Sequence, residues 1–215
     1  MVTAMPEFRV ISKPVATQIL FAVALITAAV AQDRLRPETP AAASGPAFDV
    51  SVGYSYVAMQ VPGAGTVNLN GVDSSGGIHF SRRWGAVADA SYVRGSNVFV
   101  TGHDSYVLSA LAGPVFYPCG RRGTWLSIRA LGGAGLVDSA VPSGQSYLHG
   151  WVARPSYAVG AGLEHSLPGP FAVRINGDYL RTAFVNSAEV VQLQNNLRVT
   201  ASIVLRLRQG LLASH

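Results

Sequence analysis

From residue 48 onward the chain alternates large apolar side chains with small or polar ones, in runs of about nine to thirteen residues punctuated by turn formers. The run FDVSVGYSYVAM (48–59) sets Phe48, Val50, Val52, Tyr54, Tyr56 and Ala58 against Asp49, Ser51, Gly53, Ser55, Val57 and Met59. Successive side chains of an extended strand point to opposite faces, so a period of two is a strand pattern. It recurs at 69–81, 85–93, 105–117, 124–137, 156–167, 171–184 and 195–207, which predicts eight strands. No helical periodicity is long enough to cover either face of such a sheet.

The connections between these runs alternate in length. Three are tight: Arg82-Arg83-Trp84, residues 118–123, and Pro168-Gly169-Pro170. The others are longer, the longest being 138–155. An up-and-down antiparallel sheet with a short-turn end and a long-loop end follows.

The chain is 49% hydrophobic and only 13% charged, yet after residue 31 no apolar run approaches the ~20 residues that a membrane-spanning helix needs. Strands cross a bilayer in ~9 to 11 tilted residues, and lipid tolerates them only in a closed sheet, because an open edge leaves backbone groups unpaired. Eight is the smallest strand number of the bacterial series. The predicted fold is therefore all-β, an eight-stranded antiparallel up-and-down transmembrane β-barrel.

If the Val, Ile, Leu and aromatic face meets lipid, the other face encloses Asp49, Asp73, His79, Asp89, Arg129, Glu164, Arg174, Asp178, Arg198 and Arg206. Five acids then oppose four arginines in a lumen only wide enough for side chains to fill. A charge-paired, closed interior is expected, with guanidinium groups forking onto carboxylates. A soluble barrel around a ligand cavity would reverse every facing. Its water-exposed side would then be mostly Gly, Ser and Ala, with few charges and no Lys. Trp84, Phe116, Phe80 and Phe171 fall near the short turns, and Tyr56, Tyr92, Tyr106 and Tyr157 toward the loops, as interfacial girdles would.

At the N-terminus, Arg9 and Lys13 precede an apolar run at 19–31 that ends in Ala29-Val30-Ala31, the small-x-small pattern of signal cleavage. Residues 1–31 read as a signal peptide cut between Ala31 and Gln32, and 32–46 as a flexible leader rich in Ala and Pro. The 184 residues that remain after cleavage hold fourteen Arg, no Lys and ten acids. The arginines are scattered and form no basic tract, so no nucleic-acid partner is expected. The single cysteine, Cys119, provides no disulfide framework and no metal cluster.

Candidate chemistry is sparse. Glu164-His165-Ser166 has the residue types of a hydrolase, but adjacent strand residues face opposite ways, so His165 would point to lipid while Glu164 and Ser166 point inward. Gly132-Gly133-Ala134-Gly135 lacks the helix a phosphate-cradling loop requires, and fits a curved strand approached by bulky inward groups. Cys119 reads as an unpaired turn residue. His103, Asp104 and His149 lie in long loops without metal-ligand spacing. No catalytic residue, cofactor or metal is predicted.

The run NLNGVDSSGGIHFSRRWGAVADAS, with SYVLSALAGPVFY, INGDYLRTAF and QNNLRVTASIVLRL, resembles the single-domain outer-membrane β-barrel proteins of the OmpA-like, porin-family type found in acidobacteria and related Gram-negative bacteria. The most specific pieces are Asn70-Gly71, Trp84-Gly85 with Asp89, the Leu111 to Pro114 run Leu-Ala-Gly-Pro, and Asp178-Tyr179-Leu180 with Gln194-Asn195-Asn196 and Arg198. The resemblance covers about 47–207 and implies a barrel at 47–208 behind a periplasmic leader, with a tail at 209–215; because few residues follow the eighth strand, no appended peptidoglycan-binding domain is expected. It implies a structural or interaction role in the outer membrane, with long loops outside and termini periplasmic. The expected partners are outer-membrane lipid, lipopolysaccharide and the barrel-assembly machinery, around a monomer. A narrow pore is the alternative, and a membrane-embedded lipid hydrolase a weaker one. One departure from the type is the last strand, which closes on Leu205-Arg206-Leu207 without a terminal aromatic residue. Edman sequencing of the exported protein should begin at Gln32; a start at residue 1 would contradict the cleavage site.

Overall fold

The structure is a computed structural model and describes residues 47–61, 65–98, 103–138, 141–143, 146–148, 151–185 and 191–207. The stretches read as signal peptide, leader and tail, and His149, lie outside the described residues.

Ten strands are described: β1 (Ala47–Val61), β2 (Gly65–His79), β3 (Trp84–Gly95), β4 (Ser105–Arg121), β5 (Thr124–Asp138), β6 (Val141–Ser143), β7 (Ser146–Leu148), β8 (Val152–Ser166), β9 (Phe171–Val185) and β10 (Val191–Leu207). Eight close into a barrel in the order β1-β10-β9-β8-β5-β4-β3-β2, every described pair antiparallel. β1 closes the ring on β10, from Phe48 against Leu207 to Met59 against Asn196. Closure pairs the backbone of both terminal strands, so the sheet has no free edge.

The eight-stranded all-β fold is the one the alternation predicts, and local features differ from the sequence reading: the β1–β2 connection, expected among the long ones, is only residues 62–64, because both strands extend further than their alternation. The barrel strands run 12 to 17 residues, longer than the apolar alternation alone marks. Ladder pairing continues where side-chain contrast has faded. The long 138–155 connection contains a small hairpin, β6 against β7, with no alternation to announce it. The β4–β5 link is a tight turn at Arg122 and Gly123, both at positive φ, not a loop spanning 118–123. Such a pair of left-handed residues matches the twist of a hairpin.

That last difference moves Cys119. A register shift between Phe116 and Cys119 inserts a bulge in β4, after which Cys119 pairs with Leu126 and Gly120 with Trp125. The bulge changes which face each following residue takes. Cys119 is therefore an exposed strand residue and not part of the turn.

Large apolar side chains line the outside. Val52 is 65% exposed, and Phe48, Val50, Tyr54, Val72, Ile128, Val159, Leu163, Leu197 and Ile203 are exposed with it. In β3 burial alternates strictly beyond Gly85, with Val87, Asp89, Ser91 and Val93 inside and Ala88, Ala90 and Tyr92 outside. An apolar belt running around a barrel is far larger than the few hundred Å2 a water-soluble monomer tolerates. The interior is layered. The charged side chains occupy the half nearer the short turns and the middle, whereas Val57, Met59, Val67, Leu69, Val93, Val107 and Val137 pack together toward the long loops.

The glycine cluster of β5 behaves as two populations. A Cβ on Gly133, which faces inward, would lie 2.1 Å from the Ala110 carbonyl oxygen, whereas one on outward Gly132 would meet nothing within 4 Å. Gly133→Ala should cost about 1 to 3 kcal/mol through forced backbone displacement, and Gly132→Ala within about 0.5 kcal/mol of wild type. Urea unfolding in detergent micelles, followed by tryptophan fluorescence, compares them; equal costs would contradict the assigned faces.

Candidate functional site: the closed lumen

All nine charged residues assigned to the lumen occupy inward register positions, and eight of them divide into two hydrogen-bonded groups. The first is a ring at mid-barrel. Arg129 on β5 donates from Nε to Asp178 Oδ1 at 2.9 Å and from Nη2 to Asp178 Oδ2 at 2.6 Å. Its Nη1 reaches Asp89 Oδ2 at 3.3 Å. Arg198 on β10 closes the ring, donating from Nε to Asp178 Oδ2 at 3.0 Å and from Nη1 to Asp89 Oδ1 at 2.6 Å. Two guanidinium groups and two carboxylates thus alternate in a neutral cycle joining β3, β5, β9 and β10.

The second group lies nearer the short turns. Arg206 donates to Glu164 Oε1 and, at 2.8 Å, to Ser166 Oγ. Glu164 Oε2 accepts from Arg174 Nε at 2.7 Å, and Arg174 Nη2 reaches across to Asp49 Oδ1 at 3.1 Å. Asp49 Oδ2 meets His79 Nε2 at 2.7 Å, and the His79 ring tilts against Tyr117 with centroids 5.3 Å apart.

Register explains how long side chains reach each other. Arg129, Gly160, Asp178 and Arg198 form one row across β5, β8, β9 and β10. Gly160 stands between Arg129 and its partner, and a Cβ there would come within 2.2 Å of Asp178 Oδ1. Gly77 likewise leaves room for Asp49, whose Oδ2 would be 2.8 Å from an added Cβ.

Burial decides what these pairs do. Arg198 is fully buried, and Asp89, Arg129 and Asp178 are buried with it. Buried ion pairs add little stability over an apolar core, but removing one partner strands the other without water. Asp73, the fifth acid, is the exception to the pairing. It is buried, its Oδ2 lies 4.0 Å from Arg198 Nη1, and that oxygen accepts no hydrogen bond. Between the two groups a cavity of about 10 Å3 for water centres is lined by Asp49, His79, Tyr117, Ser127, Arg129 and Arg174. That is room for one water molecule.

The Glu164-His165-Ser166 trio does not assemble a nucleophile. Glu164 and Ser166 hold Arg206, while His165 Nδ1 pairs with Thr124 Oγ1 at 2.8 Å. His165 keeps its outward register position beside Thr124 but is buried, where exposure to lipid was expected. Asp104 is also engaged: Arg94, the Asn97 backbone N–H and Tyr106 all donate to it. The Arg94 guanidinium, then the Asn97 N–H, hold its carboxyl below the ordinary carboxylate range. Among the described residues no group of three or more His, Cys, Asp or Glu could hold a metal ion.

Sequence reasoning missed the outward belt of cross-strand polar pairs near the long loops. Tyr54 donates to Asn70, Tyr56 to Asn68 at 2.8 Å, Tyr179 to Asn195 at 2.5 Å, and Arg181 to the Tyr157 hydroxyl at 3.1 Å. Arg181 and Tyr157 stand directly opposite each other in the ladder, whereas the other three pairs are diagonal, since Tyr54 faces Val72, Tyr56 faces Asn70 and Tyr179 faces Leu197. Knowledge of the register is the signal that would have found them.

An all-antiparallel eight-stranded barrel, apolar outside and charge-paired within, is the class of outer-membrane β-barrels. The comparison of structures agrees at the level of fold. The attachment invasion locus protein Ail of Yersinia pestis, crystallised with the heparin analogue sucrose octasulfate, is similar with a TM-score of 0.50 at 19% identity, over 76% of this chain and 100% of that one. Neisserial surface protein A is similar with a TM-score of 0.57 at 11% identity, over 77% of this chain and 99% of that one. No protein-family model matches the chain, and no curated protein matches it in sequence.

Arg198→Ala or Asp178→Ala should destabilise the barrel by about 3 to 5 kcal/mol, and Arg174→Ala in the same direction. Ile175→Ala, on the outer face, should cost well under half of that. Denaturant midpoints in detergent measure the difference, and equal losses at Asp178 and Ile175 would overturn the facing.

Proposed function

We propose that the protein is a monomeric outer-membrane barrel of a Gram-negative bacterium with a structural or interaction role. Its rigid wall would present the long loops to the exterior, with both termini on the periplasmic side. The single observation that carries this reading is the Arg129-Asp178-Arg198-Asp89 ring, which spans the lumen at mid-barrel and leaves beside it a cavity fit for one water molecule. A wall closed in this way supports display or anchoring, not passage. The apolar belt and its aromatic edges fit outer-membrane lipid and lipopolysaccharide as surroundings. The barrel-assembly machinery is the expected partner in insertion.

A pore would require the ring to open, and each separated Arg–Asp pair would leave charge unpaired in a low-dielectric interior. A lipid hydrolase would require His165 to exchange Thr124 for a nucleophile that lies on the opposite face of its strand.

Two measurements test the proposal together. Unboiled protein in detergent should migrate differently from boiled protein on a gel, as a closed barrel resists unfolding by detergent alone. Inserted into planar bilayers, it should show no steady conductance steps. A protein that stays soluble and never shifts would refute the membrane barrel, and reproducible open steps in the wild type would refute the closed lumen.

A further inference from the structure

The short-turn end carries a concentration of charge that the lumen does not use. Arg82 and Arg83 sit in the β2–β3 turn, and Arg121 and Arg122 at the β4–β5 turn, all four exposed. None pairs with a carboxylate of a described residue. The third short turn, Leu167 to Pro170, has no charged residue, so the cations gather on the β2–β5 side of the rim. No acid stands in any of the three turns. Arg206, also at this end, is already held by Glu164.

These arginines rest on fixed turns. Ser81 Oγ accepts from the backbone N–H of Arg83 at 3.2 Å and of Trp84 at 3.0 Å. The Arg83 carbonyl accepts from Tyr117 N–H at 2.8 Å, which ties the first basic turn to β4, the strand that carries the second. The Gly123 carbonyl accepts from Ser166 N–H at 2.8 Å, which ties the β4–β5 turn to β8. Little backbone order remains to be lost when the cations are engaged.

Directly beside Arg82 and Arg83 stands an exposed aromatic shelf. Trp84 is 53% exposed and packs on Phe116 with centroids 4.8 Å apart, and Phe80 is exposed next to Ser81. Exposed tryptophan on a membrane protein marks the level of the lipid headgroups. Arg83 and Arg82, one and two residues before Trp84, then stand at the phosphates, and Arg121 and Arg122 share their short-turn end of the barrel. Guanidinium groups make forked bonds to phosphate oxygens and keep their charge, which suits them to this partner better than to a neutral headgroup.

We infer that Arg82, Arg83, Arg121 and Arg122, with the Trp84–Phe116 shelf, form a binding surface for the phosphate of an anionic phospholipid in the leaflet at the short-turn end. The surface would select phosphatidylglycerol-type headgroups over zwitterionic ones and fix the depth of the barrel on that side. The inference rests on the membrane-barrel reading above. A contact with an acidic soluble polypeptide is the other use of such a patch, but Arg82 and Arg83 adjoin the lipid-facing aromatics, and this favours lipid.

The test uses the full mature chain folded in micelles that contain equal amounts of phosphatidylglycerol and phosphatidylethanolamine, with retained lipids weighed by native mass spectrometry. Wild type should retain the anionic lipid in roughly fivefold excess or more, the gain expected from one cation near the headgroup plane. The quadruple variant R82Q/R83Q/R121Q/R122Q should bring the ratio to about one. The double variant R94Q/R181Q, altered at the opposite end, should keep the wild-type ratio. Heat-modifiable migration of each variant shows that it has folded. A wild type without enrichment, or a folded quadruple variant with undiminished enrichment, overturns the inference and leaves the barrel reading intact. So does a patch whose loss abolishes only binding of polyglutamate. A chain that never gives a heat-modifiable band overturns both readings.

Discussion

Every inward-facing charge has to be satisfied inside a space that holds side chains and almost no water, and much of the architecture answers to that requirement. Eight strands enclose so little volume that charged groups on different strands must meet each other. Arg198 on β10 and Arg129 on β5 share the same two carboxylates, Asp89 and Asp178, from opposite walls. A barrel slipped by one register step would send these residues to lipid and the neighbouring Ile and Val inward. The network therefore supports the register as well as closing the lumen. Glycine at 160 and 77 is part of the same arrangement, since it clears the path between partners on neighbouring strands.

The interior grades along the barrel. Near the short turns it is ionic, from Arg206 through Glu164, Arg174 and Asp49 to His79. Above the mid-barrel ring come neutral polar pairs such as Asn196 with Thr182, and then the apolar group around Met59 and Leu69. Each layer excludes water differently: the first two by mutual hydrogen bonding, the last by packing. Short turns stand at one end, and at the other the connection after β5 contains its own hairpin.

Much of this was legible in the sequence, because period-two alternation reports faces directly. Asp49, Arg174 and Asp178 are separated from Val50, Ile175 and Tyr179 by parity alone. The tight connections disclosed which ends of the strands lie together. Partner identity was less legible, because it depends on register. That Asp178 meets both Arg129 and Arg198 while Asp73 is left 4.0 Å from Arg198 follows from strand stagger, which no local pattern encodes. The Tyr54–Asn70 and Tyr179–Asn195 pairs were hidden for the same reason. Cys119, expected in a turn, lies instead in β4 opposite Leu126, because the ladder runs on past the bulge after Phe116 to Arg121. His165 shows a further limit: alternation names a face, but burial also depends on which neighbours cover it.

The central claim is the reversed facing, apolar side chains to lipid and charges to the lumen. It is tested most directly on the unmodified protein by methyl NMR in bilayer nanodiscs whose acyl chains carry a nitroxide. The account predicts strong broadening of Val52, Ile175 and Ile203 methyls, and sharp signals from the enclosed Leu131, Leu180 and Val204. The opposite ordering, or uniform broadening of both sets, would contradict it.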